Sequence, residues 1–354
     1  MLHGHLHLTA KESSLKVFAI DIGMGTQDVL VYETRKNHEN NIKMVFPSPT
    51  RILARRVMQA DRNLFVRGVT MGGGPFAFAL KSHVDRGFRV AMQTEAASTV
   101  RDDLNQVREL GIEVVEEPPF DNYTVIETKD VNLEFYREIL ESLGEDFNFD
   151  YIGVAVQDHG RAPPGESDRV FRFKNFRRLM ERGKSYLELG YKEPPEYYTR
   201  MQGVMNTLKD YNVFISDSKL AAIVGALHGI KERPVIAIDV GNGHTLIALV
   251  GEDDRVIGML EHHTGLLNKN KLEELIIRFA NGNVTNEEIY NDSGHGCHII
   301  ESVGIEQIRR ILVTGPNRKM LQNSSLEVEF ATPIGDVMMT GTIGLVDMIE
   351  YLSR

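Results

Sequence analysis

The chain has 354 residues, enough for about two domains, and its apolar fraction of 42% is ordinary for a soluble globular protein. Acidic residues outnumber basic ones, 50 to 40, and no long Lys/Arg cluster occurs, so the net charge of −10 argues against nucleic acid as the main partner. No run of about 18 apolar residues is present, so the sequence predicts no membrane span and we expect a cytoplasmic protein.

The first half of the chain alternates between strand-like and helix-like segments. Two strands around a turn are predicted at 16–33, followed by a strand at 42–46. The pattern then predicts a helix from Pro75 to about Arg86, a strand at 88–92, a helix at 96–110, a strand at 112–115, a helix at 131–143 and a strand at 151–156. This βαβ alternation indicates that part of the sheet is parallel.

The remainder begins with a charged, proline-containing segment at 161–200 that is typical of a long loop. We expect helices at 174–182, 196–210, 219–228, 271–281 and 336–352, and strands at 213–215, 255–260, 311–313 and 326–330, in addition to a hairpin that starts near 233.

Two short segments, one in each half, repeat almost the same sequence. Residues 19–26 read AIDIGMGT and residues 237–244 read AIDVGNGH, so each is an apolar strand ending in Asp, followed by Gly-x-Gly and a second strand. Glycine lets turn amides approach an anion closely, and carboxylates such as Asp21 and Asp239 suit Mg²⁺ beside phosphate. The pair indicates a phosphate site built between two similar halves.

Neither copy fits the familiar nucleotide-binding loops. A dinucleotide-binding turn needs G-x-G-x-x-G opening a helix, whereas strand-type residues follow at 27–32 and 245–250, with no third glycine at that spacing. A Walker A loop is also absent from the sequence. The alternative is an ordinary hairpin without a ligand, because Gly-x-Gly is common in turns.

In these features the chain resembles the actin-like ATPase superfamily, which includes actin, heat-shock ATPases and sugar and acetate kinases. The two phosphate motifs of that family resemble 21–28 and 239–245, and its adenosine motif is similar to 311–315. Its small-residue helices that cross between domains resemble 221–226 and 341–345. The resemblance implies an α/β fold of two actin-like, ribonuclease H-like lobes with mixed sheets around a central nucleotide cleft.

The resemblance also implies a division of the chain. We expect a disordered leader at 1–14, a first lobe with a large insertion at 15–230, and a second lobe at 231–354. The chain departs from the family pattern at Pro316, where a second glycine is usual, and in the large segment 47–230.

ATP and Mg²⁺ are the ligands that the resemblance implies. The residues assigned to the nucleotide are Asp21, Gly23, Gly25, Thr26 and Gln27 in the first turn, Asp239, Gly241, Gly243, His244 and Thr245 in the second, and Gly315 in the adenosine motif. Asp21 and Asp239 are the expected Mg²⁺ ligands. Gln157 and Asp158, at a strand end, lie where the family places a group that orients water or accepts a hydroxyl proton. An ordinary strand-end turn is the alternative for that pair.

Histidines are concentrated in the second half, in Glu-His-His at 261–263 and His-Gly-Cys-His at 295–298. Metal binding, hydrogen bonding to substrate and a polar turn are the three interpretations, and the pattern fits no tight zinc spacing. His262 and His263 would point to opposite faces of a strand, so at most one of them lines a given site.

Two other features allow more than one interpretation. The three glycines at 72–74 before a helix are typical of an anion site or of a flexible connection. Arg161, Arg169 and Arg172 would either clamp an acidic substrate or form a solvated charged loop.

More narrowly, residues 154–160, 238–249 and 261–265 resemble a prokaryotic family often labelled "putative pyruvate formate-lyase activating enzyme". That label implies a radical enzyme with three clustered cysteines. This chain has one cysteine, Cys297, which cannot by itself hold an iron–sulfur cluster or form an internal disulfide. We therefore reject the radical iron–sulfur activity for this chain.

The sequence thus predicts an ATP-binding protein with alternative roles. The first is a Mg-dependent phosphotransferase or ATPase that acts on an unidentified small molecule or on water. The second is a nucleotide-dependent switch that activates a partner protein. The third is a fold that has lost nucleotide binding, and the fold by itself does not decide among them.

Overall fold

The computed structural model describes residues 14–354, so the predicted leader lies outside the described residues except for Ser14. The strands are β1 (Lys16–Ile22), β2 (Thr26–Glu33), β3 (Ile42–Pro47), β4 (Asn63–Gly68), β5 (Val90–Met92), β6 (Ile112–Val114), β7 (Tyr123–Thr128), β8 (Tyr151–Val156), β9 (Val213–Ser216), β10 (Val235–Val240), β11 (His244–Val250), β12 (Val256–His263), β13 (Gly296–Ile299), β14 (Arg310–Thr314) and β15 (Val328–Phe330). The α-helices are α1 (Pro49–Gln59), α2 (Gly74–Asp85), α3 (Thr94–Ala97), α4 (Leu104–Glu109), α5 (Leu133–Ser142), α6 (Asp168–Arg182), α7 (Thr199–Thr207), α8 (Ser218–Ala226), α9 (Lys269–Ala280), α10 (Asn286–Asn291) and α11 (Thr340–Leu352).

Two of the sheets repeat one strand order. The first lobe sheet has the order β3-β2-β1-β8-β9, with β1 to β3 antiparallel and β8 and β9 parallel to β1. In the second lobe sheet, β12-β11-β10-β14-β15 repeats this order and these directions, and β13 adds an antiparallel edge strand. The repeated topology confirms the predicted α/β fold with two actin-like lobes and mixed sheets.

A third sheet, which we call the insert sheet, lies between β3 and β8 in the chain. Its order is β6-β5-β4-β7, and all its strands are parallel. It has its own hydrophobic core, in which Leu64 and Val66 of β4 join Phe76 and Leu80 of α2. This unit accounts for much of the large segment by which the chain departs from the family pattern.

Two helices, α8 and α11, lie between the lobe sheets, and we call them the cross helices. The earlier one, α8, packs on β10 and β14 of the second lobe, whereas the C-terminal α11 packs on β1 and β8 of the first. Their backbones touch: a Cβ added to Gly225 would stand 1.7 Å from the Thr340 carbonyl oxygen, and one added to Gly344 would stand 2.0 Å from that of Ala221. Only glycine fits at 225 and 344, which explains the small residues predicted to cross there.

Most predicted elements are present, and the exceptions have local causes. The helix predicted at 96–110 is two short helices, α3 and α4, because the Asp103 side chain accepts a hydrogen bond from the Asn105 N–H (2.9 Å) and starts a new helix. The sequence analysis missed α1, β4, β7, α10 and β13.

Replacing Gly225 by Ala tests the contact between the cross helices. We expect Gly225→Ala to lower the free energy of unfolding by about 1–3 kcal/mol, because the methyl group would overlap the Thr340 carbonyl. Gly265→Ala is the matched control, since no atom lies within 4 Å of its added Cβ. Urea denaturation measures both variants. Equal stability of the two would show that the helices do not need backbone contact.

Candidate functional site

A cavity of about 720 Å³ opens where the two lobes and the insert meet. Both Gly-x-Gly turns line it, together with the end of β8, the N-terminal ends of α8 and α11, the end of β14 and the Gly72–Gly74 loop. Its size is in the range of about 300–1,000 Å³ found for small-molecule sites. The cross helices thus bring the two sequence repeats to one place.

The two Gly-x-Gly turns have the same hydrogen bonding. The Gly23 N–H donates to the Thr26 carbonyl at 2.9 Å, and the Gly241 N–H donates to the His244 carbonyl at 3.0 Å. Each turn contains two further backbone N–H groups that donate to no acceptor within residues 14–354, namely those of Met24, Gly25, Asn242 and Gly243. All four residues line the cavity, so each turn offers paired donors to an anion.

Two of the predicted nucleotide residues do not line the cavity. The Gln27 side chain donates to the Pro47 carbonyl at 2.9 Å and accepts from the Tyr136 hydroxyl. Thr245 is fully buried, and its hydroxyl pairs with that of Thr264 at 3.0 Å. Each is the second residue of its strand, and alternation along a strand turns it to the face opposite the cavity. The first residues of these strands, Thr26 and His244, line the cavity, and so do the other seven predicted nucleotide residues.

Asp21 and Asp28 form a carboxylate pair on one face of the first hairpin. They are directly opposite in the β1–β2 ladder, and the Oδ1 atom of each is buried without a hydrogen-bond partner among the described residues. Burial, and then the neighbouring Asp28 charge, raise the pKa of Asp21 to about 8. Burial raises the pKa of Asp28 to about 7. The Lys219 charge lowers the pKa of Asp21 only in part, and neither carboxylate forms an ion pair among the described residues. A bound cation would relieve the cost of charging the two buried carboxylates.

Asp239, the equivalent residue in the second hairpin, has a cationic partner. The Lys219 ammonium, in the first turn of α8, donates to Asp239 Oδ2 at 2.6 Å. It lies against the turn, since a Cβ added to Gly241 would stand 1.8 Å from Lys219 Nζ. On the other side Gly315, with φ of 92°, approaches so closely that an added Cβ would stand 2.4 Å from Asp239 Oδ1. The two hairpins therefore present different charges to one cavity.

Arg172 is a buried link between the lobes. It is 1% exposed, and its guanidinium donates to Asp217 at the start of α8, to Glu261 of β12 and to the Asp158 carbonyl. Burial alone would raise the pKa of Glu261, but the Arg172 charge holds it at about 2. Arg172 is neither a substrate clamp nor a solvated residue, because all its donors face protein acceptors.

Gln157 and Asp158 both line the cavity, but their side chains differ in the hydrogen bonds that they already make. Both carboxylate oxygens of Asp158 accept backbone N–H groups, from Gly160 at 2.8 Å and from Met201 at 3.0 Å. Burial raises the pKa of Asp158 to about 6. The Gln157 side chain makes a 2.6 Å hydrogen bond to His244 Nδ1. Gln157 is therefore positioned by a side chain from the opposite lobe, whereas Asp158 fixes the start of α7.

The predicted histidines divide into two groups. His262 Nε2 lies 3.0 Å from Asp292 Oδ2, and His298 lies 3.6 Å from a carboxylate of α6; neither lines the cavity. His295 instead packs against His244, with ring centroids 4.4 Å apart. Cys297 is buried, and its burial raises the pKa of the thiol to about 12, so it is an inert thiol rather than a nucleophile.

The sequence analysis missed several residues that the fold brings to the site. The side chain of Asp217 caps α8, and Lys219 lies two residues further on. A lysine in the first turn of the helix that precedes the second motif was a signal that the sequence offered. His159 directly follows the predicted Gln157-Asp158 pair. Arg172 was named among three candidate arginines, but its role as a buried ion-pair partner had no local signal, because its two carboxylate partners lie 45 and 89 positions further along the chain.

The fold and its cavity define a two-lobe, actin-like α/β protein, as the strand order of the lobe sheets shows. A protein-family model described as "Putative pyruvate format-lyase activating enzyme (DUF1786)" matches residues 71–320. The chain belongs to this family. The search of curated proteins gave no match.

Solved structures with a similar fold include three from bacteria. One is an inorganic polyphosphate/ATP-glucomannokinase from Arthrobacter sp. strain KM, 12% identical, covering 96% of this chain and 100% of that one with a TM-score of 0.38. Another is the activator of 2-hydroxyisocaproyl-CoA dehydratase from Clostridium difficile with bound ADPNP, 10% identical, covering 96% of each chain with a TM-score of 0.34. The third is the ethanolamine utilization protein EutJ from Carboxydothermus hydrogenoformans, 11% identical, covering 96% and 91% with a TM-score of 0.35.

Among the described residues, no helix combines the length and apolar character needed to cross a membrane.

Removing Arg172 tests the buried link between the lobes. We expect Arg172→Met to lower the free energy of unfolding by about 3–5 kcal/mol, because Asp217 and Glu261 would be left buried without their cation. Arg177→Met on the same helix is the control: its pair with Glu181 is exposed to solvent, so its loss should leave the stability nearly unchanged. Denaturant titration at neutral pH compares the two. An Arg172→Met protein as stable as the control would contradict the assigned role.

Proposed function

We propose that the chain binds ATP with Mg²⁺ in the cavity between the lobes and transfers the γ-phosphoryl group to a small molecule or to water. The observation that carries this proposal is the pair of matched turns, whose four backbone N–H groups have no acceptor within residues 14–354 and line one cavity. Backbone donors of this kind suit phosphate oxygens, because they supply hydrogen bonds without a negative side chain. One turn from each lobe would hold the phosphate chain between them.

Lys219 is the cation that we assign to the phosphates. Its Nζ lies against the second turn and is oriented by Asp239. An ammonium in this position would neutralise phosphate charge as a point charge, which is the common role of a phosphate-binding lysine. We therefore propose that Asp239 acts mainly by holding Lys219, in addition to its predicted place near the metal.

Asp21 and Asp28 are the residues that fit Mg²⁺. Their buried, unpartnered Oδ1 atoms form an all-oxygen donor set of the kind that Mg²⁺ prefers. Mg²⁺ held by these carboxylates would supply positive charge beside the phosphates. The second hairpin has Leu246 where the first has Asp28, so it offers no such pair.

Gln157 is the residue that we propose to orient the attacking oxygen. It lies at the end of β8 inside the cavity, and His244 fixes its amide. Asp158 would act by holding this strand end and α7 in place, because both of its oxygens already accept backbone N–H groups. Positioning of this kind is the main protein contribution to phosphoryl transfer.

The remaining walls suggest where the other parts of the substrates lie. Gly315 at the end of β14 would face the adenosine, as the resemblance implies. The insert contributes the Gly72–Gly74 loop, Thr99 and Arg101 to the opposite wall, which we propose as the acceptor side. We also propose that the chain divides into a first lobe at 15–230 and a second lobe at 231–354.

A nucleotide-dependent switch is the second candidate, and the cross helices favour it. Each cross helix packs on a different lobe, and the two touch through glycine backbones. Smooth contact without interlocking side chains would let the lobes pivot when nucleotide is bound, as in domain closure around ligands. The partner would then sense the closed form.

Titration calorimetry with ATP·Mg²⁺ tests the nucleotide site. We expect wild type to bind and Lys219→Met to bind at least about 10-fold more weakly, since a charge-assisted hydrogen bond contributes about 1.5–3 kcal/mol. Lys192→Met, an exposed lysine outside the cavity, should bind like wild type. Circular dichroism checks that each variant is folded. Absence of ATP binding by wild type would refute both candidate functions.

A metabolite panel for ATP consumption separates the two candidates. A small-molecule kinase should consume ATP faster with one class of acceptor, and a switch should hydrolyse ATP slowly regardless of the metabolite added. In the second case the ATP-bound and ADP-bound forms should differ in partner binding. Stimulation by a metabolite would reject the switch as the main function.

A further inference from the structure

Three histidines from separate parts of the chain converge beside the cavity. His159 follows β8 of the first lobe, His244 begins β11 and His295 precedes β13. One ring nitrogen of each lies within 4.8 Å of the others. The ring centroid of His159 lies 5.8 Å from that of His244 and 5.7 Å from that of His295. Imidazole rings from both lobes therefore lie close together in one cluster.

The burial of His295 needs an explanation. The residue is 2% exposed, and its Nδ1 has no hydrogen-bond partner among the described residues. A buried nitrogen without a partner costs about 1–3 kcal/mol, so a histidine that serves only the core would normally be paired. Its backbone is fixed, because the His295 N–H donates to the Glu261 carbonyl at 2.9 Å. The ring is thus held in place with one polar atom uncommitted.

Burial favours the neutral form of all three rings. Burial disfavours the charged imidazolium and lowers the pKa of His159 to about 3, of His244 to about 2 and of His295 to about 4. The buried charge of Arg172 acts in the same direction. A neutral ring has a nitrogen lone pair, which is the form that coordinates metals.

Polar groups around His244 support such a role. Gln157 lies 2.6 Å from His244 Nδ1, and Glu261 Oε1 lies 3.9 Å from the same atom. The oxygen and nitrogen of a glutamine amide exchange places by a flip, so the Gln157 oxygen can accept Nδ1–H and leave Nε2 unprotonated. Metal-binding histidines commonly use their second nitrogen in this way.

We propose that His159, His244 and His295 bind one divalent transition-metal ion of the Zn²⁺ class beside the nucleotide cavity. Three imidazoles suit such ions, whereas Mg²⁺ and Ca²⁺ prefer oxygen ligands. Zn²⁺ holds histidine nitrogens at about 2.0–2.1 Å, so the rings must close slightly around the ion. His159 and His244 line the cavity, so water or a phosphate oxygen from the cavity could complete the coordination of the ion. This site does not depend on ATP binding.

Metal titration in the absence of nucleotide tests the proposal. The full chain would carry His3→Ala, His5→Ala and His7→Ala, because these N-terminal histidines could bind metal themselves. After removal of metals with EDTA, Co²⁺ is titrated in excess Mg²⁺ and followed by visible absorption, and Zn²⁺ is then added as competitor. We expect one Co²⁺ per chain, with the absorption of a nitrogen-rich site, and displacement by Zn²⁺.

Three single variants in this background give the decisive comparison. We expect His295→Gln and His159→Gln each to weaken binding at least about 100-fold, since even loss of a supporting group around a metal costs about 10–100-fold. His298→Gln, a histidine of β13 outside the cluster, should leave the affinity unchanged. Circular dichroism checks that each variant is folded. If one of the two cluster variants does not fold, the other still tests the site. No stoichiometric binding, or binding that survives both cluster substitutions, would overturn the site. ATP·Mg²⁺ titration of the same proteins reports on the nucleotide site separately.

Discussion

The backbone contact between the two cross helices is the constraint on which the rest of the structure depends. Gly225 and Gly344 let the helices approach until no side chain fits between them, so α8 rests on one lobe sheet and α11 on the other. Each helix then begins at the cavity, with Lys219 at the start of α8 and Gly341 at the start of α11. A Cβ at Gly341 would stand 1.9 Å from Asp21 Oδ2, so this glycine also makes room for the first-hairpin carboxylate.

The two halves share one plan and differ where chemistry is expected. The hairpins have the same register and the same turn hydrogen bond, and two amides of each turn find no acceptor in the described part of the chain. The first hairpin carries the Asp21 and Asp28 pair, whose buried Oδ1 atoms have no hydrogen-bond partner among the described residues, while in the second Lys219 pairs with Asp239. This asymmetry suits a phosphate ligand that has a bound cation beside the first hairpin and the Lys219 ammonium beside the second. His244, the counterpart of Thr26, adds an imidazole that joins the second hairpin to Gln157 and to two other histidines.

The sequence predicted what depends on local patterns. The repeated Asp-Gly-x-Gly turns, the strands around them and the small-residue helices are each visible within a few residues, and each is present. Gln27 and Thr245 both point away from the cavity. Strand alternation accounts for this orientation, but it was not used when the two residues were assigned to the nucleotide. Arg172 and the His159–His244–His295 cluster depend instead on elements that are distant in the chain, so no local pattern reveals them. The insert sheet was only partly predicted, because β4 and β7 lack a clear boundary signal.

If one phosphate chain binds between the two turns, a crystal structure with Mg²⁺ and a non-hydrolysable ATP analogue will show it. We expect phosphate oxygens within hydrogen-bonding distance of the amides of Met24 or Gly25 and of Asn242 or Gly243, with Lys219 in contact and the metal beside Asp21. A nucleotide bound elsewhere, or phosphates that contact only one turn, would contradict it.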